Sequence, residues 1–203
     1  MSTPPPGPIG AVSTRERLLP FILAAAIIGA DQIIKAVAVG ALPLHQPQEG
    51  IGDLVRFTLV QNPAIGFSIG HNWPEGLRRV LFLILPLAVL VLIVSYYFRT
   101  NELSRGQRWL VCALIGGGLG NYVDRLFRPD GVVDFVDVKF FGIFGLNRWP
   151  TFNLADSTVV VASIILLITF FRDGLRERAQ SQAQGHAEPQ PPAAAAHGQQ
   201  ERD

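Results

Sequence analysis

Charge is scarce in this chain. Asp, Glu, Lys and Arg make up only 16% of its 203 residues, against roughly 25% in soluble domains, and the formal net charge is +1. The scarcity argues against an ordinary soluble domain, and the balance of signs excludes the basic footprint of a nucleic-acid binder. Cysteine is nearly absent. Cys112 is the single one, so no disulfide can close within the chain, and a structural zinc site lacks its thiolates. The four histidines, His45, His71, His186 and His197, show no metal-ligand spacing.

What is present is apolar length. Hydrophobic residues make up 49% of the chain, and they come in blocks. A membrane-crossing helix needs about 20 mostly apolar residues. Four segments qualify: Leu18–Val39, Val80–Phe98, Trp109–Leu126 and Leu154–Phe171. The first carries Asp31 and Lys35 and lacks a small-x-small cleavage site, so it does not read as a removable leader. Pro86 inside the second is tolerated in a membrane helix. Gly116, Gly117, Gly118 and Gly120 in the third permit close helix approach. Residues 1–16 and 173–203 read as disordered flanks around a membrane domain at 17–172. The expected fold class is an α-helical polytopic membrane protein with four transmembrane helices. A small β-rich extracytoplasmic segment is expected after the first helix, within His45–Gly70.

The arginine bias of the short links sets the orientation. Arg15 and Arg17 precede the first span, Arg99, Arg105 and Arg108 fill the second link, and Arg172, Arg176 and Arg178 follow the last. This places both termini in the cytoplasm. Asp31 then lies about 21 Å beyond Arg17, at ~1.5 Å per helical residue. Lys35 is one turn further out. Asn121, Asp124 and Arg125 close the third span on that same side, Asp134 follows in the outer link, and Asn153 and Asp156 open the fourth span. Polar residues far apart in sequence thus converge on one depth, near the outer surface. Ionisable groups are costly in a bilayer, and such positions mark function.

Each residue also has a plainer explanation. Asp31 and Lys35, at i,i+4 spacing, can neutralise each other. Asp124 can pair with the adjoining Arg125 as a brace. Asp137, on the face opposite Asp134 in an extended chain and followed by Lys139, reads as a solvated loop charge. Asp134 and Asp156 each sit in an apolar setting with no adjacent cation, and either can cap a helix. Their shared depth favours chemistry instead. Two carboxylates close together in a low-dielectric site share a proton, so one acts as base and the other as acid. That combination activates water and protonates a leaving amine, as peptide hydrolysis requires.

Three other readings compete. A proton-coupled carrier or assembly factor would use Asp31, Lys35 and Asp124 as a relay, but it would need polar residues through the inner half of the bilayer, where the sequence has few. Proteolysis with an Asp124–Asp156 pair is a second. Gly66-Phe67-Ser68-Ile69-Gly70 matches the G-x-S-x-G pattern of serine hydrolases. That pattern has meaning only at a strand-to-helix elbow of an α/β sheet with an acid and then a histidine downstream. His71 follows at once with no acid between, so the match reads as chance.

Five stretches in order, DQIIK (31–35), QNPAIGFS (61–68), GGGLGNYVDR (116–125), VVDF (132–135) and FNLAD (152–156), resemble the motifs of the lipoprotein signal peptidases, or signal peptidase II. The resemblance runs from about Leu18 to Phe171. It implies an aspartyl protease of the bacterial inner membrane that removes signal peptides from prolipoproteins just before a diacylglyceryl-modified cysteine, with membrane lipid around it. It implies Asp134 and Asp156 as the dyad, with Asp31, Lys35, Asn62, Gly120, Asn121, Asp124, Arg125, Asn153 and Ala155 in support. It also implies inhibition by globomycin, no metal or organic cofactor, and a mobile outer helix near Ile65–Trp73. The chain departs from the family pattern in two motifs. Asn62-Pro63-Ala64-Ile65-Gly66-Phe67 has alanine and glycine exchanged relative to N-x-G-x-A-aromatic, and Gly118 stands where alanine is usual. The link from Asp134 to Asp156 is long, and its stretch FFGIFGLNRWP is apolar enough to rest on a bilayer surface.

Overall fold

The computed structural model describes residues 12–62 and 74–185. The expected mobile helix, with Ser68 and His71, lies outside the described residues. Residues through Leu166 form one compact unit, and those from Leu167 on form a second.

Helix starts follow local capping chemistry. Ser13 and Glu16 form a capping box at α1 (Thr14–Leu18), which leads through Pro20 into α2 (Phe21–Ala41). Helix α3 (Glu75–Arg99) contains Pro86. Ser104 and Gln107 form the same reciprocal box at α4 (Arg105–Phe127). Helix α5 spans Leu154–Gly185. Two boundaries therefore differ from expectation. Helix begins at Thr14, inside the 1–16 flank, because Ser13 caps it. Helix also continues past 172 to Gly185, where Leu, Arg, Glu, Ala and Gln are good helix formers.

Among the described residues, three helices are long and apolar enough to cross a membrane: Thr14–Ala41, Val80–Arg99 and Leu154–Gln182. Large apolar side chains such as Ile33, Leu92 and Leu167 lie bare on them, an arrangement suited to hydrocarbon and not to water. Helix α4 differs in composition. It packs against α2 and α3 and buries Gln107, Arg108, Asn121 and Asp124 together with Gly116, Gly117 and Gly120. Those glycines are contact points. A methyl at Gly117 would stand 2.7 Å from the Ala155 carbonyl oxygen, and one at Gly116 2.9 Å from the Ala24 backbone.

Strands β1 (Gln48–Gly50), β2 (Gly52–Asn62) and β3 (Val132–Val138) form an antiparallel sheet in the order β1-β2-β3. The third strand comes from the link between α4 and α5, beyond the segment where the sequence placed β structure. Leu59, Val133 and Phe135 pack on Ala38, which seats the sheet on the end of α2. The register sets Val60 opposite Asp134 and Asn62 opposite Val132. An isolated pair between Val136 and Phe152 brings the chain back beside β3 just before α5 begins.

Candidate active site

A buried lysine organises the polar residues. Lys35 has no solvent exposure, and an ammonium has three donors to satisfy. Its Nζ lies 2.8 Å from Asp31 Oδ2, 2.8 Å from Asp124 Oδ2 and 2.8 Å from Asn121 Oδ1. Asp31 and Asp124 are equally buried. Asp31 also accepts the Ala155 backbone N–H at 3.1 Å, in the first turn of α5, where a negative charge complements the helix dipole. Asp124 accepts the Val133 N–H at 3.2 Å and pairs with Arg128 at 3.0 Å, so it ties β3 to α4. The Gln32 amide donates to Asp124 and to the Gly120 carbonyl, both at 3.1 Å. Gly120 leaves the room this needs, since a methyl there would meet Asp31 Oδ2 at 2.8 Å.

Asn121 carries the arrangement onward. Its Oδ1 is occupied by Lys35 and by Asn153 Nδ2 at 2.9 Å, which turns its own amide nitrogen toward Asp156 Oδ1 at 2.7 Å. Asn153 caps α5. Its Oδ1 accepts the Asp156 N–H at 2.9 Å, while Asp156 Oδ2 accepts the Asn153 N–H at 3.2 Å. Asn153 Nδ2 also donates to Asp134 Oδ1 at 2.8 Å, and Asn62 Nδ2 donates to Asp134 Oδ2 at 3.2 Å. Burial pushes the Asp134 carboxyl up to about 7, and the charge of Asp156 pushes the same way against the two asparagine donors. The Arg125 guanidinium donates to the Asn121 carbonyl at 3.2 Å. Among the described residues, no group of His, Cys, Asp and Glu side chains is disposed to hold a metal ion.

All eleven residues singled out from the sequence meet in this one region, although one of them, and Asp137 beside them, take other partners than expected. Asp124 pairs with Lys35 and Arg128, not with the adjoining Arg125, because helical geometry points successive side chains apart. Asp137 is buried, not solvated, and is held by Arg148 and, at 3.3 Å, by the Thr58 hydroxyl. Sequence reasoning missed Gln32 and Arg128. The signal for each was available, since Gln32 adjoins Asp31 and Arg128 stands one turn after Asp124.

From Ser157 toward Ile165, α4 and α5 leave a groove of about 310 Å³ between Leu110, Ala113, Val161, Ala162 and Ile165. The hydroxyls of Ser157 and Thr158, also on its wall, are bonded to the Asn153 and Leu154 carbonyls of their own helix. The groove therefore presents an apolar surface.

Residues 23–172 match the model of a family described as signal peptidase (SPase) II. A lipoprotein signal peptidase of Treponema denticola is 42% identical over 81% of this chain and 95% of its own length. One of Treponema pallidum is 42% identical over 78% and 86%. One of Borrelia duttonii is 50% identical over 58% and 68%. A solved bacterial membrane enzyme superposes with a TM-score of 0.65 at 23% identity, covering 77% of this chain and 89% of that one.

Proposed function

The chain belongs to the signal peptidase II family, and from that premise we propose that Asp134 and Asp156 are the dyad with which it hydrolyses prolipoproteins. The enzyme is a membrane aspartic endopeptidase that removes the signal peptide. The observation that carries the dyad assignment is Asn153, which holds both carboxylates at once, Asp134 through its amide and Asp156 through its backbone N–H.

In this reading the pair shares one proton. Asp134, pushed up to about 7, carries it at rest. Asp156, oriented by Asn121 and Asn153, accepts a proton from the attacking water as its oxygen bonds to the scissile carbonyl carbon. Asp134 then gives its proton to the departing amine as the C–N bond breaks. Lys35, Asp31 and Asp124 fix Asn121 and the first turn of α5. Gly120 and Ala155 keep the helices close. Asn62 holds the outer oxygen of Asp134, and Arg125 lies within electrostatic reach of Asp156 and Asp134.

The substrate reading follows from location. Helix α4 crosses the membrane with the other three helices, both termini are cytoplasmic, and the dyad lies at the outer leaflet. A diacylglyceryl cysteine keeps its acyl chains in lipid while the bond before it reaches the carboxylates. The departing signal helix then runs inward along the α4–α5 groove. A globomycin-type inhibitor would compete at the dyad. An Asp124–Asp156 pair is disfavoured because Asp124 is already committed to Lys35, Arg128, Gln32 and Val133.

The test is cleavage of a diacylglyceryl-modified prolipoprotein by purified protein in detergent. Wild type is expected to cleave, and Asp134→Asn and Asp156→Asn, with melting transitions intact, are expected not to. An active Asp134→Asn enzyme would remove this pairing.

A further inference from the structure

The hairpin between β3 and α5 takes no part in the site, yet it is built to show apolar surface. Phe144 is 89% exposed, Phe141 69% and Ile143 50%. The exposure does not come from a loose chain. Phe140 N–H donates to the Asn147 carbonyl at 2.8 Å, Gly142 to Leu146 at 2.9 Å, and Gly145 to Gly142 at 2.9 Å. Phe140 packs on Trp149 with ring centroids 4.9 Å apart. The base is closed by charge, with Lys139 Nζ 2.7 Å and Arg148 Nη1 3.2 Å from the Asp53 carboxylate. Phe141 and Phe144 both adopt left-handed backbone, at φ 56° and 52°. Bulky side chains rarely occupy that region, and strain of this kind persists where the surroundings enforce it. The fold therefore holds these rings outward.

Position supplies the partner. Strand β3 is tied to α4 by the bond from Val133 to Asp124, and the hairpin springs from the Val136–Phe152 pair, one residue before the cap of α5. From Val136 to Gly142 a strand spans about 20 Å. The tip thus stays within that reach of the end of a membrane helix. Standing away from the bilayer, it would carry three bare apolar side chains into water. Lying along it, the same side chains enter the interfacial layer, where aromatic residues are favoured. Lys139, with Nζ 5.6 Å from the Phe141 ring centroid, then sits at phosphate level.

We infer that residues 140–146 are a lipid-surface anchor that seats Phe141, Ile143 and Phe144 in the outer leaflet and so fixes the height of β3, and of Asp134, above the membrane. The inference rests on the proposed placement of the dyad at the outer leaflet. The occupant is the phospholipid bilayer itself. A second protein or another copy of this chain would be a different outcome.

The experiment uses full-length protein carrying Phe144→Cys, labelled with an environment-sensitive dye and reconstituted in phosphatidylcholine–phosphatidylglycerol vesicles. Native Cys112 is fully buried and escapes labelling. Phe141→Cys provides a second position. The expected result is blue-shifted emission, strong quenching by lipids spin-labelled near the headgroup, and iodide quenching severalfold weaker than in unfolded protein. Free access of iodide with no lipid quenching overturns the inference. Shielding from both quenchers also overturns it, since a protein would then cover the tip. Replacing Phe141, Ile143 and Phe144 together by serine should leave cleavage in detergent unchanged and lower it severalfold in vesicles. Equal rates in vesicles would count against the anchor. Because quenching needs no catalysis, lipid contact in a protein that cleaves nothing would sink the proposed function and spare the anchor.

Discussion

Lys35→Met isolates the hub on which the polar cluster depends. The lysine is wholly buried and meets three acceptors, two of them carboxylates. Methionine fills similar space without a charge. Asp124 keeps Arg128, Gln32 and the Val133 N–H. Asp31 keeps the Ala155 N–H and a longer contact to Gln32, but among the described residues Lys35 is the one cation paired with it. Breaking a buried ion pair by removing one partner costs about 3–5 kcal/mol, which lowers the melting temperature by on the order of 10 °C for a chain of this size. The assay is already in the sequence. Cys112 is the single cysteine and is inaccessible when folded, so a thiol-reactive fluorophore reports unfolding during a thermal ramp in detergent. A second variant sharpens the result. Adding Asp31→Asn to Lys35→Met removes the stranded charge while leaving an oxygen for the Ala155 N–H. The double variant should therefore regain about 1–3 kcal/mol over the single one, the coupling expected of contacting charges. A single variant that melts within about 2 °C of wild type, under 1 kcal/mol, refutes the reasoning. So does a double variant no more stable than the single.

Gly117→Ala places a methyl 2.7 Å from the Ala155 carbonyl oxygen and 2.9 Å from Val159, so it should cost about 1–3 kcal/mol in the same thermal assay; an unchanged melt would mean that α4 and α5 do not approach as described. Asn153→Ala removes the cap of α5 and the donor to Asp134, so a stability loss of about 1–2 kcal/mol should accompany a fall in kcat; wild-type kcat would exclude Asn153 from orienting the dyad. Asp134 binds its proton more tightly folded than unfolded, its carboxyl being raised from the ordinary 3.8 to about 7. Its stabilising contribution is therefore full below the ordinary value and is lost as pH rises to about 7. The melting temperature of Asp134→Asn relative to wild type should climb across that window and level off above it, whereas a flat difference would deny the burial of the charge.

The sequence made the site more legible than its wiring. Apolar blocks located the helices, and depth along them brought together residues that the structure places in one cluster. Depth does not specify which way a side chain turns. For that reason Arg125 looked like the partner of Asp124, when the helix sends the aspartate toward Lys35 on α2. Asp137 looked solvated because its cation, Arg148, comes from the far arm of a hairpin that no local pattern announces. The third strand was hidden for the same reason, since pairing of β3 with β2 is long-range. The composition of α4 also falls short of a free-standing apolar span, because its inward faces meet protein on several sides.

That last feature bears on how the molecule is made. Helix α4 carries Gln107, Arg108, Asn121 and Asp124 on surfaces that end up buried, and Gly116, Gly117 and Gly120 complete their contacts only against α2 and α5. An isolated segment of this kind pays heavily to enter hydrocarbon, because charged residues oppose insertion and glycines add little to drive it. Helix α2, synthesised earlier, already offers Gln32 and Lys35 as partners. On the proposed four-helix topology, entry of α4 into the bilayer would be a templated step, in which a helix that precedes it during translation supplies the polar surface it needs. A substitution on α2 that leaves its own hydropathy untouched can then cause α4 to be left outside, and its effect would appear as a defect of biogenesis before any defect of catalysis.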